Sequence, residues 1–290
     1  MNLKELKTYF ISSIAHLYAS EEVLSFFYLL AEKQLGLSKI AIALQPEKEI
    51  SEAAKLAFNK AIYRLGNFEP IQYITGDTEF FGLTLMVDKS VLIPRPETEQ
   101  LVDWIVDENQ SKEATILDIG TGSGCIAISL AKYLPKAKVY SLDISAEALL
   151  VAKQNAALNK VDVTFVNADV LNENAWQLTF KDVKFNTIVS NPPYVRIVEK
   201  KLMKPNVINH EPAIALFVKD EDSLLFYRKI AQLSKLYLRP EGTLYFEINE
   251  YLSREMKEML IFEGFKDIKI RKDIFKKDRM IKCINNEKTN

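Results

Sequence analysis

The sequence predicts an α/β fold: a mostly parallel sheet with an antiparallel last strand, preceded by a small bundle of helices. From Ala114 onward, short apolar runs alternate with stretches of helical period, whereas the residues before Gly76 carry helical periodicity alone. Gly120, Gly122 and Gly124 then cluster where the first of those apolar runs gives way to a helix. Open α/β sheets hold their ligands at such turns.

The elements follow in order. Leu3, Leu6, Tyr9, Phe10 and Ile14 fall at helical spacing, and so do Val23, Phe26, Phe27, Leu30 and Leu35. Ser20-Glu21-Glu22 reads as a cap with an acidic first turn, and a third helix runs from Ser51 to about Leu65, stopped by Gly66. These make an N-terminal helical domain over residues 1–76. Its outer face can dock a partner, and packing alone explains the same periodicity. Phe81, Leu83, Leu85 and Val87 then alternate, Asp88-Lys89-Ser90 interrupts, and Val91-Leu92-Ile93 resumes, which predicts a linking β-hairpin within 77–96.

The third domain, 97–290, opens with a helix from about Glu97 through Val102, Ile105 and Val106. Strands are expected at 114–119, 138–142, 163–167, 187–190 and 243–248. Helices are expected at 125–134, 146–159, 223–237 and 252–262. Ile268–Asp273 and Arg279–Ile284 read as a closing hairpin.

Composition narrows the functional classes. With 48% apolar and 27% charged residues the chain is ordinary for a globular protein, and a net charge of −1 argues against nucleic-acid binding through a broad basic surface. No apolar run has the length of a membrane span, and Met1-Asn2-Leu3-Lys4-Glu5 lacks the features of a signal peptide. Cys125 and Cys283 are too few for a disulfide framework, and His16 and His210 match no metal-ligand spacing. The expectation is a cytoplasmic, metal-free protein.

The glycine turn, Gly120-Thr121-Gly122-Ser123-Gly124, permits a tight bend and close approach of backbone to a ligand. Dinucleotide-binding spacing would put the third glycine at position 125, which is Cys. The tighter form suits S-adenosylmethionine, whose carboxylate needs only a few amide donors; a purely structural turn is the alternative. Asp143, closing the second strand, can accept both ribose hydroxyls or cap the next helix, a task open to Ser145 as well. Asp169 can meet the adenine amine, with Val170 as an apolar wall, or simply provide strand-end polarity.

Asn191-Pro192-Pro193-Tyr194 follows the apolar run Thr187-Ile188-Val189-Ser190. An Asn side-chain oxygen and the Pro192 carbonyl at a strand end can accept both hydrogens of a planar NH2 group. The prolines fix φ and remove competing donors, and Tyr194 offers an aromatic wall. These residues therefore suit methyl transfer to an amide or amine nitrogen, glutamine and adenine being equally compatible. Arg95, held extended in Pro94-Arg95-Pro96, can guide a substrate carbonyl or acid, or pair with Glu97 or Glu99.

The chain resembles the HemK/PrmC family, the protein-(glutamine-N5) methyltransferases that act on peptide chain release factors. The resemblance runs through Pro70–Gly76, Phe80-Phe81-Gly82, Leu92–Glu99, the glycine turn, Asp143, Asn191–Tyr194, Glu211-Pro212 and Ala215-Leu216. It implies a class I S-adenosylmethionine-dependent, Rossmann-like domain behind a helical substrate-docking domain. The implied substrate is the glutamine of the Gly-Gly-Gln motif of class I release factors, bound by Asn191, Pro192, Pro193 and Tyr194. The cofactor would contact Gly120 to Gly124, Asp143 and Asn191. A ribosomal protein or a nucleic-acid amine is the alternative acceptor. The chain departs from the family's pattern at Val170, Phe217–Asp222 and Asn249.

Overall fold

Asn2 starts the first helix by a reciprocal cap: its side chain accepts the Glu5 amide, and the Glu5 carboxylate accepts the Asn2 amide. In the computed structural model, which describes residues 1–110 and 113–286, this helix, Leu3–Ile14, is followed by Ser20–Leu35, Lys39–Leu44, Glu52–Gly66 and Ile71–Thr75. Ser38 and Ser51 cap the third and fourth by accepting the amides of Ala41 and Ala54. The two short helices escape a periodicity reading because neither completes two turns. Phe10, Phe27 and Phe58 are fully buried and meet pairwise at 5.7–5.9 Å between ring centroids.

Residues Met1–Gly76 form one compact unit together with Lys204–His210, and Asp77–Met203 with Glu211–Asn290 form another. The later segment contributes His210, whose Nε2 lies 2.8 Å from the Asn67 carbonyl oxygen. Its sequence position, far beyond residue 76, gives no hint of that membership.

The second unit begins with a hairpin of β1 (Asp77–Phe80) and β2 (Leu83–Met86). The turn therefore falls at Phe81-Gly82, not at the expected Asp88-Lys89-Ser90, and Val91–Ile93 is not a strand. The reason is local: Phe81 and Gly82 both take positive φ, 49° and 73°, as a two-residue hairpin turn requires. Asp88 instead accepts the Ser90 amide at 2.8 Å and turns the chain out of the ladder.

The main sheet comprises β3 (Thr115–Ile119), β4 (Lys138–Asp143), β5 (Thr164–Asn167), β6 (Phe185–Ser190), β9 (Leu238–Glu247), β10 (Phe265–Lys272) and β11 (Asp278–Asn285). Its order is β10-β11-β9-β6-β3-β4-β5, with only β11 antiparallel to its neighbours. β7 (Val195–Arg196) and β8 (Phe217–Val218) pair separately. Successive residues pack on opposite faces: Leu117, Ile188 and Phe246 join the helices 225–237 and 253–262, while Ile116, Val189 and Tyr245 join 96–109 and 125–133. The chain leaves β3 first toward β4 and β5, then returns to β6 on its other side. Ligands bind outside the carboxyl ends of the strands at such a reversal, here the ends of Ile119, Asp143 and Ser190.

Candidate active site

The glycine turn folds back over β4. Gly120 and Thr121 donate their amides to the Leu142 carbonyl at 2.8 and 3.2 Å, and Gly122 donates to Asp143 Oδ2 at 2.8 Å. Positive φ at all three glycines makes this path possible. Gly124 is there for packing: a Cβ would sit 2.7 Å from Ile128 Cδ1 and 3.1 Å from Ala152 Cβ. The helix Cys125–Tyr133 starts with no side-chain cap, so its first turn presents backbone donors.

A cavity of about 320 Å³ opens over this turn. Gly120, Thr121, Gly122 and Ser123 form its floor with Asp143, and Asp169 and Val170 line it from the end of β5. Arg95, Asn191, Pro192 and Pro193 also line it, whereas Gly124 and Tyr194 do not. Asp143 Oδ1 accepts the Ser145 amide at 2.9 Å, and burial raises its carboxyl above the usual range. Ser145 itself caps the following helix by accepting the Ala148 amide at 3.1 Å, which leaves Asp143 available to a ligand. Asp169 spends one oxygen on the Leu171 amide at 2.8 Å.

The transfer end is held by partners remote in sequence. The Ser190 hydroxyl donates to the Ile119 carbonyl at 2.7 Å and pins β6 to β3 just before Asn191. Asn191 Nδ2 donates to Thr98 Oγ1 at 3.3 Å, and Thr98 donates to Glu247 Oε2 at 2.6 Å. Tyr194 donates its hydroxyl to Glu247 Oε1 at 2.9 Å, and burial lifts both the tyrosine and the glutamate above their ordinary ranges. Asn249 donates to the Tyr194 carbonyl at 3.2 Å and to Glu199 Oε2 at 3.1 Å, bonds a residue without a side chain would lack. Phe217-Val218 forms β8 beside β7, so two of the departures noted in the sequence brace the backbone immediately after Tyr194.

Arg95 pairs with neither Glu97 nor Glu99. Its guanidinium lies 2.6 Å from Glu211 Oε1, while Glu211 Oε2 accepts the Ile93 amide at 3.2 Å. Glu99 accepts the Phe81 amide at 2.7 Å. Among the described residues no group of three or more His, Cys, Asp or Glu could hold a metal, and no helix is long and apolar enough to cross a membrane.

Residues 7–76 match the PrmC N-terminal domain, and residues 97–213 match the methyltransferase small domain. The chain is 47% identical to the release factor glutamine methyltransferase of Flavobacterium psychrophilum, over 97% of this chain and 99% of that one. It is 45% identical to the Bacteroides thetaiotaomicron protein of the same name, over 96% and 99%. The chain belongs to the release factor glutamine methyltransferase family. A Pyrococcus furiosus methyltransferase crystal structure, 18% identical, shares the fold with a TM-score of 0.52 over 81% of this chain and 98% of that one.

The cavity fits S-adenosylmethionine, the methyl donor of release factor glutamine methyltransferases. Ser123, 2% exposed, lines the cavity, and among the described residues its hydroxyl has no nitrogen or oxygen partner, so it can donate to a carboxylate. A diol would find an acceptor in the Asp143 carboxylate, and a flat base would find apolar walls in Leu142, Ile144, Ala168 and Val170, all of which line the cavity. Sequence reasoning missed Thr98, Glu211 and Glu247. Thr98 and Glu247 stood as polar residues inside otherwise buried helix and strand patterns, whereas Glu211, between two short helices, was marked only by the family resemblance.

Proposed function

We propose that this protein methylates the side-chain amide nitrogen (N5) of the glutamine in the Gly-Gly-Gln motif of class I peptide chain release factors, in the cytoplasm. The observation that carries the reading is Asn191, which lines the cavity beside the glycine turn while its Nδ2 is committed to Thr98. Gly120, Thr121, Gly122, Ser123, Asp143, Asp169, Val170 and Asn191 would hold the cofactor, Gly124 acting only by keeping the helix close. When bound, S-adenosylmethionine supplies an electrophilic methyl group.

The chain's own residues supply placement. An amide nitrogen is a weak nucleophile because its lone pair is shared with the carbonyl. Asn191 Oδ1 and the Pro192 carbonyl accept its two hydrogens and hold its plane, so the barrier falls chiefly through orientation and fixed dipoles. No strong base is needed, since the nitrogen loses its proton readily once methylated. Pro192 and Pro193 keep competing donors out of the groove. Tyr194, tethered through its hydroxyl, acts as a wall behind the prolines. Arg95, steadied by Glu211, guides the substrate backbone at the rim. The helical unit, with Leu56 and Tyr63 exposed on the helix Glu52–Gly66, is assigned to docking the release factor.

The test gives purified protein labelled S-adenosylmethionine with, separately, a release factor, ribosomal proteins and DNA. Label is expected in the release factor, on glutamine. Label confined to ribosomal protein or to DNA would overturn the assignment.

A further inference from the structure

Asn191 can serve an incoming NH2 group in only one of its two amide orientations. With Oδ1 toward the substrate it accepts; turned over, it offers hydrogens to hydrogens. Asn and Gln amides have no intrinsic preference between the two, so a neighbour must decide.

The structure supplies that neighbour as a directional chain. Glu247, 1% exposed, accepts at both carboxylate oxygens, from Tyr194 at 2.9 Å and from Thr98 at 2.6 Å. Arg279 adds positive charge beside it. A hydroxyl has one hydrogen, and Thr98 has given it to Glu247. Thr98 Oγ1 therefore has only lone pairs left for Asn191, and Asn191 must meet it with Nδ2, as it does at 3.3 Å. Among the described residues nothing donates to Asn191 Oδ1, which remains the unspent acceptor at the cavity.

We infer that Thr98 and Glu247 are positioning residues that fix the orientation of the Asn191 amide and so set the polarity of the substrate-gripping site. The inference rests on the reading of Asn191 as the acceptor for the substrate amide. It also explains why a carboxylate is buried at the end of β9, where an apolar side chain would cost less to bury. A glutamine there would no longer enforce the direction: whenever its NH2 faced Thr98, the hydroxyl hydrogen would turn to Asn191 and demand Oδ1.

Three variants test this, with release factor as substrate. Thr98→Val keeps shape but removes the acceptor; kcat is expected to fall about tenfold, the factor expected when one such bond is lost at the transition state, while the dissociation constant of S-adenosylmethionine changes less than about threefold. Thr98→Ser restores the hydroxyl and returns kcat to near the wild-type value. Glu247→Gln keeps or raises thermal stability by removing a buried charge, yet lowers kcat; it also serves should Thr98→Val fold poorly. Stability and turnover moving in opposite directions is an outcome a purely structural role does not give. Wild-type kcat in Thr98→Val or Glu247→Gln overturns the relay and leaves the proposed function standing. Wild-type protein that leaves the release factor unmethylated counts instead against the proposed function.

Discussion

Asp118, fully buried at the end of β3, receives the Thr121 hydroxyl at 2.6 Å and faces the charge of Asp143 across the turn. Burial, opposed by that hydrogen bond and reinforced by Asp143, pushes its carboxyl up to about 7. In the unfolded chain an aspartate titrates near 4. The folded state therefore binds the extra proton between about 4 and about 7, so this group's contribution to stability falls as pH rises through that window. Urea unfolding of Asp118→Asn should show its stability, relative to the wild type, improving from pH 5 to pH 7.5; a difference independent of pH would refute the assignment. At this scale the sequence was informative about residues that act through local geometry. The placement of Gly120, Asp143 and Asn191 at one cavity was legible because a turn, a strand end and two prolines fix their local geometry. Thr98 with Glu247 and Arg95 with Glu211 were not, because each pair is separated by more than a hundred positions and meets only in the folded chain.

The helix Ala146–Asn159 carries two asparagines that do the work of a missing strand. Asn155, fully buried, accepts the Met86 amide at 2.6 Å and donates to the carbonyls of Met86 and Ser123 at 2.9 Å each. Asn159 donates to Thr84 at 3.0 Å. The β1–β2 hairpin and the glycine turn are thus fastened to one helix. Asn155→Ala leaves three backbone groups without partners, and chemical denaturation should reveal a loss of about 3 kcal/mol; a change under about 0.5 kcal/mol, the size of an ordinary surface substitution, would show that water replaces the side chain. The central strands β3, β6 and the later half of β9 were legible from their apolar runs, since both of their faces are buried. The hairpin's register was not: alternation from Phe81 to Val87 spans both the turn and the second strand, and only the positive φ of Phe81 and Gly82 separates them.

Across the whole molecule, the boundary at Gly76 was visible where helical period gives way to alternation, while the return of Lys204–His210 to the first unit was not. No periodic signal marks a helix of six residues, and its packing is decided by what it meets. The fold as a whole brings the ends of β3, β4 and β6 to one cavity, and in the proposed function the first two hold the cofactor while the third grips the amide. Asn191→Ala separates the two. Calorimetric binding of S-adenosylmethionine and steady-state methylation of a release factor, measured on the same preparation, should give a cofactor affinity within about tenfold of the wild type and a steep fall in turnover. Turnover equal to the wild type would remove Asn191, and the grip built around it, from the reaction.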